Sequence, residues 1–198
     1  MSLKNSSAII KIPNILKVKL RNKRINKSYQ KFKKSFNLNE NFSVAVSGGP
    51  DSLALAFLAK IYSIEKKLKA KFYIVDHQLR PESTKEAQKV KACLKKIFVK
   101  AEILTWNRKK KSKNIQSSAR TARYKLLFQK SEKSKIRNIL LGHHQDDLFE
   151  NFFIRMTRGS GIKGLISFDK KAIIEDKNIL RPLLDQKKSD LIFISKFV

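Results

Sequence analysis

Residues 44–59 read Val-Ala-Val-Ser-Gly-Gly-Pro-Asp-Ser-Leu-Ala-Leu-Ala-Phe-Leu-Ala, an apolar strand, a glycine turn and a helix that is apolar on all sides. A helix with no polar face must be covered all round, and a strand of the same kind must be covered on both faces. A parallel sheet between layers of helices meets both demands. The rest of the chain repeats the alternation. Strands are expected at 42–46, 71–76, 101–106 and 136–141, and helices at about 51–67, 82–98, 116–132 and after 147. That order predicts an α/β class, a parallel twisted sheet with helices on both faces. Residues 171–175 and 178–184 read as a short hairpin turning at Asp176-Lys177. No internal repeat is visible.

The turn itself points to an anion. Adjacent Gly48 and Gly49 let backbone N–H groups face one concavity. Pro50 suits the first turn of a helix, and the helix start adds unpaired N–H groups and a positive dipole end. Ser47 and Ser52 bring hydroxyls to the same place. The plain alternative is a tight strand-to-helix turn that binds nothing. The full Ser-Gly-Gly-x-Asp-Ser string favours a phosphate cradle, and it is neither GxxxxGK[ST] nor GxGxxG.

With 198 residues the chain is one domain or one domain with an extension, and 41% apolar residues are enough for a core. Its formal charge of +29 suits a polyanionic partner such as RNA. The basic residues are 35 Lys and 10 Arg, so many belong to an ordinary solvated surface. Cys93 is the only cysteine, which excludes an intrachain disulfide and a cysteine-rich metal site. At helical spacing it reads as a small buried hydrophobe. No apolar run reaches membrane-spanning length, so no membrane association is expected. These features suit a cytoplasmic location, with an organelle matrix as the alternative.

Residues 1–39 hold eleven Lys or Arg and no acid. The expected division is a basic N-terminal extension over 1–41 and a catalytic domain over 42–198. Ile25, Tyr29, Phe32 and Phe36 predict a leader helix over 25–36, with disorder in much of what precedes it.

Polar groups gather at two further strand ends, where doubly wound sheets bind ligands. One end carries Asp76-His77-Gln78-Leu79-Arg80-Pro81. The other carries Gly142-His143-His144-Gln145-Asp146-Asp147 and then Glu150. The second end and Ser47 are expected on the same sheet edge. Asp147 and Glu150 fall one helical turn apart. Such a pair can hold Mg²⁺ or receive an ammonium group, and a transition-metal site or helix N-capping are the other readings. A basic glycine-rich loop follows, with Arg155, Arg158 and Lys163 around Gly159-Ser160-Gly161.

The loop 47–52 resembles the PP-loop of ATP pyrophosphatases, enzymes that adenylate a substrate and release pyrophosphate. Four blocks in order resemble the tRNA(Ile)-lysidine synthetase family: Ser47-Gly48-Gly49-Pro50-Asp51-Ser52; Val75-Asp76-His77-Gln78-Leu79-Arg80-Pro81; Ala119-Arg120-x-x-Arg123-Tyr124; and His143-His144-Gln145-Asp146-Asp147-x-x-Glu150. The last continues into Arg158-Gly159-Ser160-Gly161, and Arg181-Pro182-Leu183-Leu184 is similar to a further family block.

The resemblance implies a Rossmann-like PP-loop ATPase fold and an ATP-dependent ligase. Lysine would be joined to C2 of the anticodon wobble cytidine of tRNA(Ile) with a CAU anticodon. The route is an adenylated tRNA, releasing AMP and pyrophosphate. Ser47, Gly48, Gly49, Pro50, Asp51, Ser52 and Asp76 would bind ATP. Asp51 would orient Mg²⁺, Arg123 would stabilise charge at the α-phosphate, and His143 would orient substrate or move a proton. Asp147 and Glu150 would hold the ammonium of free L-lysine. Arg155, Arg158 and Lys163 would follow the RNA backbone. Family members usually carry further tRNA-binding regions, so this chain is expected to be a catalytic domain lacking the C-terminal ones. A homodimer is allowed for. The alternatives are another PP-loop enzyme, such as a tRNA thiolase or amide synthetase, and a non-catalytic RNA- or nucleotide-binding remnant. The single cysteine tells against a thiolase, and intact loop and acidic blocks tell against a remnant.

Overall fold

The computed structural model describes residues 12–106, 115–144 and 170–198, with the backbone alone at 115–117 and 120. The described elements are α1 (Asn14–Leu20), α2 (Lys23–Phe36), β1 (Phe42–Val46), α3 (Pro50–Glu65), β2 (Ala70–Asp76), α4 (Ser83–Lys96), β3 (Ala101–Thr105), α5 (Ile115–Lys133), β4 (Asn138–Leu140), β5 (Lys171–Ile174), β6 (Lys177–Leu180) and α6 (Lys188–Ser195).

The six strands form one sheet in the order β3-β2-β1-β4-β6-β5. All neighbours run parallel except β5, which pairs antiparallel with β6 at the edge. The predicted hairpin is therefore present, with its turn at Glu175 and Asp176, both at positive φ. Strand order reverses between β1 and β4, and the crevice above such a reversal is where open α/β sheets take ligands.

Alternation along the strands builds two cores. Val44, Val46, Phe72, Ile74 and Leu140 face one side, packed with α1–α4 and α6. Tyr73, Leu104, Ile139 and Ile179 face the other, packed with Leu127 and Phe128 of α5. A strand residue that turned to the opposite face would lose its whole set of neighbours, so the register is fixed by burial. On the α5 side, two hydroxyl pairs, Ser43–Ser131 at 2.9 Å and Tyr73–Ser134 at 3.1 Å, tie helix to sheet.

The leader departs from expectation. Residues 14–20 form a helix, and α2 begins at Lys23 rather than 25. The Pro13 carbonyl accepts from the N–H groups of Leu16 and Lys17, so this proline starts a helix. Asn22 caps α2, its Oδ1 accepting from Arg24 N at 3.0 Å and Ile25 N at 3.3 Å. Leu16, Ile25 and Phe32 are fully buried in the larger core. β4 is shorter than expected, because only Asn138–Leu140 align with both β1 and β6.

Candidate functional site

The C-terminal ends of β1, β2 and β4 open into a cavity of about 460 Å³. That size lies within the range of small-molecule pockets. Ser47, Gly49, Asp51 and Ser52 line it from the loop after β1, Asp76 and His77 from the end of β2, Arg123 from α5 and His143 from the end of β4. The expected meeting of the first and fourth strand ends on one edge is thus present. Asp147, Glu150, Arg155, Arg158 and Lys163 lie outside the described residues.

The loop is organised by Ser52. Its Oγ accepts from the backbone N–H groups of Ser47 and Gly48 and from Ser47 Oγ, each at 3.1 Å, and donates to Gly49 O at 2.9 Å. Two N–H groups therefore converge on one oxygen, the arrangement that binds a phosphate oxygen. Gly48 sits at φ +92°, and a Cβ there would come within 2.6 Å of Val90 Cγ2 on α4. Gly142 packs against the same loop, where a Cβ would stand 3.1 Å from Ser52 Cα. Gly49 caps α3 and Pro50 occupies its first turn, so the helix axis starts at the cavity.

Asp51 is partly exposed at the start of α3, and its Oδ2 lies 3.4 Å from Nε2 of buried His144. Among the described residues no three His, Cys, Asp or Glu side chains gather into a metal cage. A single hard carboxylate beside a phosphate cradle nonetheless suits Mg²⁺, which binds through one or two carboxylates plus substrate phosphates. Asp76 is engaged differently. Its Oδ1 accepts from Gln78 N at 2.9 Å and its Oδ2 from Thr84 Oγ1 at 2.7 Å. Burial opposes its ionisation, but these hydrogen bonds prevail and hold the carboxyl below the usual range. Asp76 thus fixes the turn between β2 and α4 while lining the cavity.

Three side chains to which the sequence reading assigned no role hold the site together. Arg123 Nε donates to His77 Nε2 at 3.4 Å. Burial, then the Arg123 charge, pushes the His77 imidazole down from its ordinary value. Nε2 accepts, so the neutral ring carries its proton on Nδ1, which is shielded and has no hydrogen-bond partner among the described residues. Arg181, buried at the end of β6, donates from Nε to His143 Nδ1 at 3.2 Å. His144 stands against Asp51 and bridges to Leu183. His77, His144 and Arg181 all lie in blocks already quoted, and only the sheet order brings them to their partners.

The PP-loop domain model matches residues 21–197. A curated relative from Orientia tsutsugamushi (strain Boryong), tRNA(Ile)-lysidine synthase, is 41% identical over 157 residues, 79% of this chain and 35% of that protein. The tRNA(Ile)-lysidine synthase of Wolbachia pipientis wMel is 41% identical over 155 residues, 77% of this chain and 36% of its own length. The chain thus spans little more than a third of these two relatives. Among solved structures, the U34-tRNA thiolase NcsA from Methanococcus maripaludis, with its [4Fe-4S] cluster, superposes with a TM-score of 0.70 at 19% identity, over 88% of this chain and 63% of that one. The NH3-dependent NAD synthetase from Campylobacter jejuni gives 0.52 at 16% identity, over 88% and 72%. These two likenesses concern the fold.

Proposed function

Because the chain belongs to the PP-loop family, whose domain model covers residues 21–197, we propose that it is the catalytic domain of a tRNA(Ile)-lysidine synthase. The reaction is ATP-dependent. The C2 oxygen of the anticodon wobble cytidine of tRNA(Ile) attacks the α-phosphate, forming an adenylated tRNA and releasing pyrophosphate. The amine of free L-lysine then attacks C2, forming the C–N bond and expelling AMP. The observation that carries this reading is the Ser52-centred loop facing a cavity at the sheet's switch point, in a chain 41% identical to proteins of that name.

In this reading the glycine turn that Ser52 ties together and the start of α3 hold the departing pyrophosphate. Asp51 would hold Mg²⁺, which supplies screening of the phosphate charge. Arg123 balances negative charge developing at the α-phosphate, and His77 steers its guanidinium. His143, held by Arg181 through Nδ1, lines the cavity and would carry its proton on Nε2. Asp147 and Glu150 remain the proposed lysine site, and Arg155, Arg158 and Lys163 the proposed RNA contacts.

The test is incubation with labelled lysine, ATP, Mg²⁺ and a tRNA(Ile) bearing a CAU anticodon. Covalent label in the RNA supports the proposal. Pyrophosphate release driven by a different substrate points to another PP-loop enzyme. RNA binding without ATP turnover points to a non-catalytic protein.

A further inference from the structure

Helix α2 buries one face and presents lysines on the other. Ile25, Ser28, Tyr29, Phe32 and Phe36 are buried, whereas Lys23, Lys27, Lys31 and Lys34 are exposed. At 100° per residue those four lysines fall within an arc of about 80°, and from Lys23 to Lys34 they extend about 16 Å along the axis. None of the four has an ion-pair partner among the described residues. The acids near α2 are engaged at its flanks. Glu65 takes Lys33 and the Tyr29 hydroxyl, and Asp190 takes Arg24. The outer row therefore remains purely cationic.

The row is also rigidly mounted. Phe32 and Phe36 pack on Tyr62 of α3 with ring centroids 5.8 and 5.0 Å away. Gln186 Nε2 donates to Ser28 O at 3.2 Å. Ser35 Oγ donates to Pro182 O at 2.8 Å, and Pro182 follows Arg181, which holds His143. A fixed line of uncompensated positive charge, anchored one residue from the candidate site, fits a polyanion with regularly spaced charges. Four lysines over this length match several successive phosphates, which advance ~3.4 Å per nucleotide along a duplex axis.

We propose that the outer face of α2 is a docking track for the sugar-phosphate backbone of the RNA substrate. This rests on the tRNA reading above and adds a surface outside the cavity. The track fixes the position of the RNA without reading its sequence.

The experiment measures binding of the whole chain to a tRNA(Ile) transcript by fluorescence anisotropy across a salt series. The variant Lys23→Gln/Lys27→Gln/Lys31→Gln/Lys34→Gln is compared with Lys66→Gln/Lys67→Gln/Lys69→Gln/Lys71→Gln, which removes the same charge elsewhere. Far-UV circular dichroism checks that both stay folded. The track variant is expected to bind at least about tenfold more weakly near 0.1 M salt, with the log–log salt slope shallower by about 3. The matched variant should change much less. Equal losses in both variants, or an unchanged slope in the track variant, overturn the track while leaving lysidine formation standing. Failure of the parent chain to bind any tRNA removes the functional reading as well. If the track lysines instead govern binding to phosphatidylserine vesicles and not to tRNA, the RNA assignment is wrong.

Discussion

Arg181 Nε donates to His143 Nδ1 across 3.2 Å, from the end of β6 to the end of β4. The bond fixes the imidazole tautomer, because a nitrogen that accepts cannot carry the proton. Arg181→Met should release the ring. Nitrogen NMR should then report a mixture of tautomers in place of a single Nε2–H form. In the proposed reaction, lysidine formation should fall about tenfold or more in kcat with little change in KM for ATP. Arg181→Lys should restore neither, since a lysine lacks the flat fork of donors. An Arg181→Met enzyme with the parent's tautomer would remove the positioning role.

Asp51 stands at the first turn of α3, 3.4 Å from His144 and facing the cavity. Asp51→Ala should abolish tRNA-dependent pyrophosphate release, a loss on the order of 10²–10³ for a single group aimed at reacting phosphates. The companion measurement uses the proposed lysine site. Glu150→Ala should chiefly raise the KM for lysine and leave pyrophosphate release in place.

The sheet was legible because its strands are apolar on both faces. Val44–Val46 and Phe72–Val75 carry that signal without help from the rest of the chain. The loop at 47–52 was legible for a related reason, since its geometry depends on glycines and serines within six residues. Contacts that need the strand order were not. Gly48 against Val90, Asp51 against His144 and His143 against Arg181 each join segments far apart in the chain. The leader was misread locally. The core contacts of α1, through Leu16 and partly buried Leu20, are hidden among lysines.

Gly48 offers a clean stability test. Gly48→Ala adds a Cβ at φ +92° and 2.6 Å from Val90 Cγ2. We expect a loss of about 1–3 kcal/mol in urea unfolding, part from the backbone and part from the clash. Adding Val90→Ala should return the clash part and leave the backbone part. Complete recovery would mean that the positive φ costs nothing.

His77 should make stability depend on pH. Its folded pKa is lowered by burial first and by Arg123 second, so between the folded value and the ordinary ~6.5 the unfolded chain binds more protons. Stability is then fully present above about pH 6.5 and declines as pH falls through the folded value. Denaturant midpoints measured from pH 8 to 5 should show the decline, and His77→Asn should flatten it.

The leader's anchoring can be graded. Phe32 is fully buried against Tyr29, Phe36 and Tyr62, and Phe32→Ala should cost about 3–5 kcal/mol. Arg24 pairs with Asp190 and lies 4.7 Å over the Phe193 ring, but its side chain is 45% exposed. Arg24→Ala should therefore cost only about 0–1 kcal/mol. Denaturation curves for the two variants separate core packing from surface pairing.

The clasp between the leader and α6 also orders events in time. Lys19 donates to the carbonyl of Phe197, 178 residues away, and Arg24 reaches Asp190 across 166. On the ribosome, α1 and α2 are made before the strands of the sheet, yet these partners emerge after them. β1, β2 and β3 can pair while the leader still lacks α6 and the Pro182 carbonyl. Long-range closures of this kind form late, because loop entropy must be met before the contact rewards it. Through that interval the apolar face of α2 lacks its cover from α6, which makes the nascent chain most prone to aggregation just before residues 182–197 appear.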